Sequence, residues 1–185
     1  LAAGGIRFTQ FYNTGRCWPT RAALMTGRYP HEAGHAMIFG PSAPAGYQGT
    51  SRERGLMISE VLGRAGYRNY HVGKWHLNDR SPGPNETWPL ERGFDDSYFM
   101  RSQNNYFNPN IIFDNKEKVQ RPGANAEYYA TEAMSGRAVA DLKAHHAEFP
   151  DRPFFLYLAY TAPHFPLHAL PEDIDRFRDR YQIGW

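Results

Sequence analysis

The sequence predicts an α/β fold with a mainly parallel sheet flanked by helices. Two observations carry this. Segments 55–77 and 127–160 each read as a helix followed by a strand. The second of these strands, "FFLYLAY" (154–160), is a nearly continuous apolar run of the kind buried on both faces of a parallel sheet. At 185 residues the chain is long enough for one domain with a substantial core.

Along the chain, "GGIRFTQFYN" (4–13) contains a β-prone run leading to the lone cysteine, Cys17. Residues from Pro19 to about Thr26 favour helix, with a proline at the opening and Gly27 past the end. Residues 31–49 carry Gly, Pro and Ala without a period and read as loop. In 55–77, Leu56, Ser59, Val61, Leu62 and Ala65 form a helical face, and Gly66 is a stop. "YRNYHVG" follows as a strand with Tyr70 and Val72 on one side. The stretch 78–126 is rich in Asn, Pro and Gly and reads as a long loop region, functional or disordered. Inside it, "NIIFDNKEKVQ" forms a hairpin turning at Asn115–Lys116. Met134, Ala138, Leu142 and His145 or His146 recur at helical spacing, and Pro150 and Pro153 end that helix.

Composition excludes several classes. A net charge of +2 with no basic run gives no argument for nucleic acid. No apolar stretch approaches the length of a membrane span. One cysteine forms no internal disulfide, and a redox or zinc centre would lack a partner thiol. Leu1 opens without a leader pattern and "RYQIGW" closes without a cap, so the sequence is expected to be an internal piece of a longer chain.

Three segments stand where α/β proteins place active sites, at strand ends and helix starts. In Cys17-Trp18-Pro19-Thr20-Arg21, Cys17 falls just before a helix N-terminus, where amides and the helix dipole favour an anion, and Arg21 reaches back toward it. The alternative is a small buried hydrophobe. In "GKWHL" (73–77), Lys74 and His76 lie two apart past a strand, facing one point as anion-binding and proton-transfer groups. The alternative is a solvated lysine and a histidine packed on Trp75. In "TAPHFPLHA" (161–169), His164 leaves the apolar strand on a loop stiffened by prolines, placed for acid–base work or, alternatively, bonded to a turn carbonyl. His31 and His35 share metal-ligand spacing, but Pro30 and Gly34 oppose the helix it needs. His145 and His146 read as helix surface, and His71 as a packing residue.

Together these segments resemble the sulfatase family, in an arylsulfatase-like form. Cys17-x-Pro19-x-Arg21 with "MTGR" resembles the first sulfatase signature, "GYRNYHVGKWHL" the second, and "PFFLYLAYTAPHFPLHA" the later strand-and-histidine segment. "ERGFD" (91–95) and the hairpin near 115 add to the likeness. The resemblance implies an alkaline-phosphatase-like fold, incomplete at both ends, with 1–185 forming part of a single catalytic domain. It implies that a formylglycine-generating enzyme oxidises Cys17 to formylglycine, whose hydrate attacks sulfur. Arg21 would hold the hydrate, Lys74 would bind a sulfate oxygen, His76 would take a proton, and His164 would protonate the leaving group. A cation, Ca2+ or Mg2+, would bridge residue 17 and the sulfate as a Lewis acid. The substrate would be a small-molecule or carbohydrate sulfate ester, and the compartment periplasmic, secreted or lysosomal.

Trp18 stands where the family often has a small residue. The acidic metal ligands of the family find no match: residue 17 is the one ligand offered, and Asp95–Asp96 is expected to be loop structure. The isolated chain is therefore expected to bind calcium poorly and turn over little. The stretch 98–107 is expected to line the pocket, with Arg101, Asn104 and Asn105 as polar substrate contacts. A phosphonate or phosphate monoester hydrolase and a non-catalytic fragment that keeps the fold are the competing readings.

Overall fold

The structure is a computed structural model that describes residues 3–37, 42–49, 52–79, 83–101, 105–120 and 127–181. The helices are α1 (Cys17–Thr26), α2 (Ile58–Arg64), α3 (Ala130–Glu148) and α4 (Pro171–Asp175). The strands are β1 (Arg68–Lys74), β2 (Asp96–Met100), β3 (Ile112–Asp114), β4 (Glu117–Lys118) and β5 (Phe154–Ala159), in the sheet order β4-β3-β2-β1-β5. β1 pairs in parallel with both β2 and β5, and β3 and β4 continue antiparallel, so the sheet is mixed and mostly parallel at its centre.

Strand alternation divides the core into two layers. Phe99, Phe113, Phe155 and Tyr157 face a cluster with Ala22 and Met25 of α1, together with Trp75 and Trp88. Val72, Met100, Ile112, Leu156 and Leu158 face Ala130, Met134 and Ala138 of α3. Each loop that leaves the β1 or β5 C-terminal end therefore emerges between helices packed on opposite faces.

Local chemistry explains the elements. At the start of α2, the Glu60 carboxylate accepts the Met57 N–H at 2.8 Å and pairs with the buried Arg92 at 3.0 Å. Gly66, at φ +91°, follows the end of that helix as expected. The hairpin turns at Asn115, whose φ is +56° and whose side chain accepts the Ser97 N–H at 2.9 Å, which fixes its register on β2.

Several expectations are corrected. The β-prone run within 4–13 forms no strand: it has no strand partner among the described residues, and Ile6, Phe8, Phe11 and Tyr12 are exposed. Strand β2 lies inside the stretch expected to be loop, because five residues with an asparagine- and proline-rich flank give a short pattern. β5 is an edge strand with half-buried side chains rather than one buried on both faces, since β1 is its one partner among the described residues. On α3 the buried position is Asp141 rather than Leu142, because Arg137 neutralises it at 2.6 Å. His145 is buried rather than on the surface. Its Nδ1 accepts from the Tyr70 hydroxyl at 3.0 Å and its Nε2–H donates to the Arg152 carbonyl at 2.7 Å, tying α3 to β1.

Gly73, whose φ is +116°, lies opposite Ala159 in the β1–β5 register. A Cβ there would lie 2.2 Å from the carbonyl oxygen of Ala159, a backbone atom that cannot turn aside. Gly73→Ala is expected to destabilise the fold by about 2–4 kcal/mol in urea denaturation. An unchanged midpoint would show that the strands have room to spread.

Candidate active site

α1 begins at Cys17 itself, with Arg16 as its N-cap, rather than at Pro19. Its first internal bond runs from the Thr20 N–H to the Arg16 carbonyl at 3.1 Å. The Cys17 and Trp18 amides therefore have no carbonyl within the helix to donate to, and Pro19 has no N–H to leave unpaired. Helical spacing places Arg21 one turn after Cys17 on the same face.

Cys17, Arg21, Lys74 and His164 all line one cleft of about 690 Å3 together with Arg16 and Tyr157. Cys17 is partly exposed, so its side chain opens into this cleft instead of sealing into the core. Lys74 ends β1, is 1% exposed and lines the cleft beside Cys17. Burial pushes the Lys74 pKa down, the Arg21 charge adds to this, and Cys17 opposes it. Arg21 is fixed in turn: its Nη1 donates to the Lys74 carbonyl at 2.6 Å and to the Tyr157 hydroxyl at 3.1 Å. His164 sits half-buried on the loop after β5, and its Nδ1–H donates to the Phe165 carbonyl at 2.8 Å. That bond leaves Nε2 as the nitrogen free to exchange a proton with a ligand.

His76 is placed differently from the expectation. Its φ of +56° breaks the extended geometry that would align it with Lys74, and it does not line the cleft. It packs edge-on against the Trp18 ring at 5.3 Å, near enough for the Lys74 and Arg21 charges to depress its pKa. Trp18 thus has a structural account. Its indole N–H donates to the Ala36 carbonyl at 3.3 Å, and the Arg16 guanidinium lies over its ring at 5.0 Å.

Arg101 is not brought to the cleft: its guanidinium donates to the Asp79 carbonyl at 3.0 Å. Asn105 instead accepts from the Phe107 and Asn108 amides at 2.9 and 3.0 Å, and Asn104 lies outside the described residues. Sequence reasoning missed Tyr157 and Tyr160 in the cleft. For Tyr157 a signal existed, since strand alternation from the core residue Phe155 puts it on the α1 face.

The lining residues include no aspartate or glutamate, and no cluster of three or more His, Cys, Asp or Glu among the described residues could hold an ion. Asp95 accepts the Asn69 amide at 2.7 Å and Asp96 pairs with Arg137, so both carboxylates serve the far end of the sheet. The described side chains alone do not fit calcium, which wants several oxygen ligands.

The comparisons with known proteins identify the family of the chain. The Sulfatase family model matches residues 1–185, and the chain belongs to the sulfatase family. It is 30% identical to an arylsulfatase of Klebsiella aerogenes, covering 100% of this chain and 41% of that protein. It is 33% identical to the N-acetylgalactosamine-6-sulfatase of Homo sapiens, covering 91% of this chain and 34% of that protein. A solved structure, Ps i-CgsB in complex with k-i-k-neocarrahexaose, superposes with a TM-score of 0.70 at 32% identity, covering 87% of this chain and 38% of that one. The chain thus spans well under half the length of these relatives. The mixed, mostly parallel sheet with flanking helices is part of their alkaline-phosphatase-like fold. Among the described residues no helix is long and apolar enough to cross a membrane.

Burial makes the neighbourhood pH-sensitive. His71 is fully buried, ringed by Trp75, Phe94, Phe99 and Tyr157, and its pKa is pushed down to about 3 by burial and then by the Arg21 charge. His76 is lowered to about 3 by burial and then by Lys74 and Arg21, and His35 to about 4 by burial. These folded values lie below the unfolded value of about 6.5, so the unfolded chain takes up protons first as pH falls. The stability they hold is complete above about pH 6.5 and is lost as pH falls toward about 3. His71→Phe is expected to remove about 1.4 kcal/mol per pH unit from the slope of unfolding free energy in that window. Parallel slopes for parent and variant in urea titrations would refute the assignment.

Proposed function

We propose that this chain supplies the nucleophile, the anion-binding groups and the leaving-group acid of a sulfate-ester hydrolase in which residue 17 works as formylglycine. The supporting observation is the convergence of Cys17, Arg21, Lys74 and His164 on one cationic cleft without a lining carboxylate. The conversion is a two-electron oxidation of the cysteine Cβ. Sulfur leaves as sulfide, oxygen takes its place, and an external oxidant of the dioxygen class accepts the electrons on a formylglycine-generating enzyme. Hydrated, the aldehyde supplies two geminal hydroxyls, one to attack sulfur and one to expel sulfate, which a thiol cannot do.

The chain's own residues perform the rest. Arg21, Lys74 and the α1 amides hold the sulfate oxygens and stabilise the negative charge that grows on them. Tyr157 and the Lys74 carbonyl fix Arg21, so this field is in place before the reaction starts. His164, through Nε2, protonates the departing ester oxygen. His76 does not line the cleft: burial and its cationic neighbours keep its ring neutral against Trp18, and no step here is assigned to it. A divalent cation belongs to this proposal together with carboxylates that the described residues do not provide, and no step here is routed through it. The similarity to a structure holding k-i-k-neocarrahexaose and to an N-acetylgalactosamine-6-sulfatase favours a carbohydrate sulfate as substrate, in a periplasmic, secreted or lysosomal setting.

Two measurements test the proposal on the protein that carries this chain. Mass spectrometry of tryptic peptide 17–21, after co-expression with the modifying enzyme, should show the aldehyde and no thiol. Cys17→Ala should lower kcat on 4-nitrophenyl sulfate by at least roughly 1000-fold without loss of folding. An intact thiol in the active protein, or faster turnover of 4-nitrophenyl phosphate than of the sulfate, would overturn the proposal.

A further inference from the structure

The loop that carries His164 is held by a group outside the cleft. Tyr106 is 1% exposed and does not line the cleft. Its hydroxyl donates to the His164 carbonyl at 2.7 Å, and the Leu167 N–H meets the same oxygen at 3.2 Å. The Tyr106 backbone is gripped on both sides. Its N–H donates to Nδ1 of His168 at 3.3 Å, and its carbonyl accepts from Ala130 at the start of α3 at 2.8 Å. The His168 ring stands edge-on to Tyr106 at 5.7 Å and tilted against Phe107 at 5.6 Å, while Phe107 stacks on Tyr129 at 5.1 Å. The Tyr129 hydroxyl closes the set on the His168 carbonyl at 3.4 Å.

We infer that Tyr106 is a positioning residue for His164: its hydroxyl latches the His164 backbone to α3 and thereby aims the imidazole into the cleft. The inference rests on the proposed role of His164 as leaving-group acid. Among the described residues, the His164 ring has one hydrogen bond, to the neighbouring Phe165 carbonyl, and that bond moves with the loop. The reference point outside the loop is therefore the Tyr106 hydroxyl, anchored through its main chain to a nineteen-residue helix. A buried hydroxyl that bonds a carbonyl of a catalytic loop constrains where the side chain of that residue can point. The ring of Tyr106 lies in the α3 layer of the core and would pack equally well as phenylalanine, so the hydroxyl is the separable part.

Tyr106→Phe tests this in the full protein. The variant should keep its thermal midpoint within a few degrees and keep KM. Its kcat should fall roughly 10-fold on esters with poor leaving groups and little on 4-nitrophenyl sulfate. His164→Ala should show the same pattern more strongly, and the double variant should equal His164→Ala alone. Independently of turnover, long-range proton–nitrogen NMR should show the His164 ring signals shifted and broadened in Tyr106→Phe, with Nδ1 still protonated because its bond to the Phe165 carbonyl moves with the loop. If Tyr106→Phe does not fold, His168→Phe, which removes the acceptor for the Tyr106 amide, carries the same two readouts. A uniform loss across leaving groups, full additivity with His164→Ala, or unmoved ring signals would overturn the inference. No sulfate hydrolysis by the parent would instead sink the proposed function, and the NMR comparison would still decide whether the latch exists.

Discussion

The guanidinium of Arg21 donates through Nη1 both to the carbonyl of Lys74 and to the hydroxyl of Tyr157, and this ties α1 to the paired strands β1 and β5 at their C-terminal ends. α1 brings Cys17 and Arg21, β1 ends on Lys74, and β5 brings Tyr157 and leads into the His164 loop. A guanidinium suits this task because its planar donors keep their charge at every relevant pH. The bond also orients Lys74 indirectly. A strand end whose carbonyl is claimed cannot twist freely, so the ammonium stays turned toward residue 17. A lysine in the place of Arg21 would offer a charge without the fork that reaches two fixed acceptors.

Around this junction, burial determines protonation. Lys74 and His76 lie within each other's field, and desolvation depresses both pKa values. For the imidazole the result is a ring that stays neutral. For the ammonium, the nearby Cys17 opposes the shift. His71 shows the same physics without the chemistry: ringed by aromatic side chains and bonded to Ser97 at 3.1 Å, it is a polar core residue that shares Arg21 as an electrostatic neighbour. One cation thus lowers the basicity of two histidines on different sides of the strand end.

Much of this was legible in the sequence because the informative features are local. The helix after Cys17, the stop at Gly66, the turn at Asn115 and the strand at 68–74 each follow from residues within a few positions. The candidate site residues come from short ordered segments, and the fold brings Cys17, Arg21, Lys74 and His164 together in one cleft. What failed was non-local. β2 gives too short a pattern to stand out from its loop, and its existence depends on pairing with β1 and β3. Burial of His145 depends on Tyr70 and Arg152, seventy-five and seven residues away. The displacement of His76 follows from a left-handed backbone that no spacing rule anticipates in a histidine. Arg101 looked like a substrate contact because it is charged and sits in a long loop, yet a backbone carbonyl claims it.

The cleft also carries a tension between stability and binding. Arg16, Arg21, Lys74 and the N-terminal end of α1 all present positive potential to the same space, with no carboxylate among the described lining residues to offset it. Such an arrangement is repulsive in the free chain, and burial of Lys74 raises the cost because water cannot screen it fully. The rest of the fold offsets this cost with rigid neutral contacts: the Arg21 bonds to uncharged oxygens, the Trp18 bond to Ala36, and the Tyr106 bond to the His164 loop. None of these contacts consumes positive charge. The field therefore stays available to an anionic ligand, while the groups that create it are held by partners that leave it undiminished.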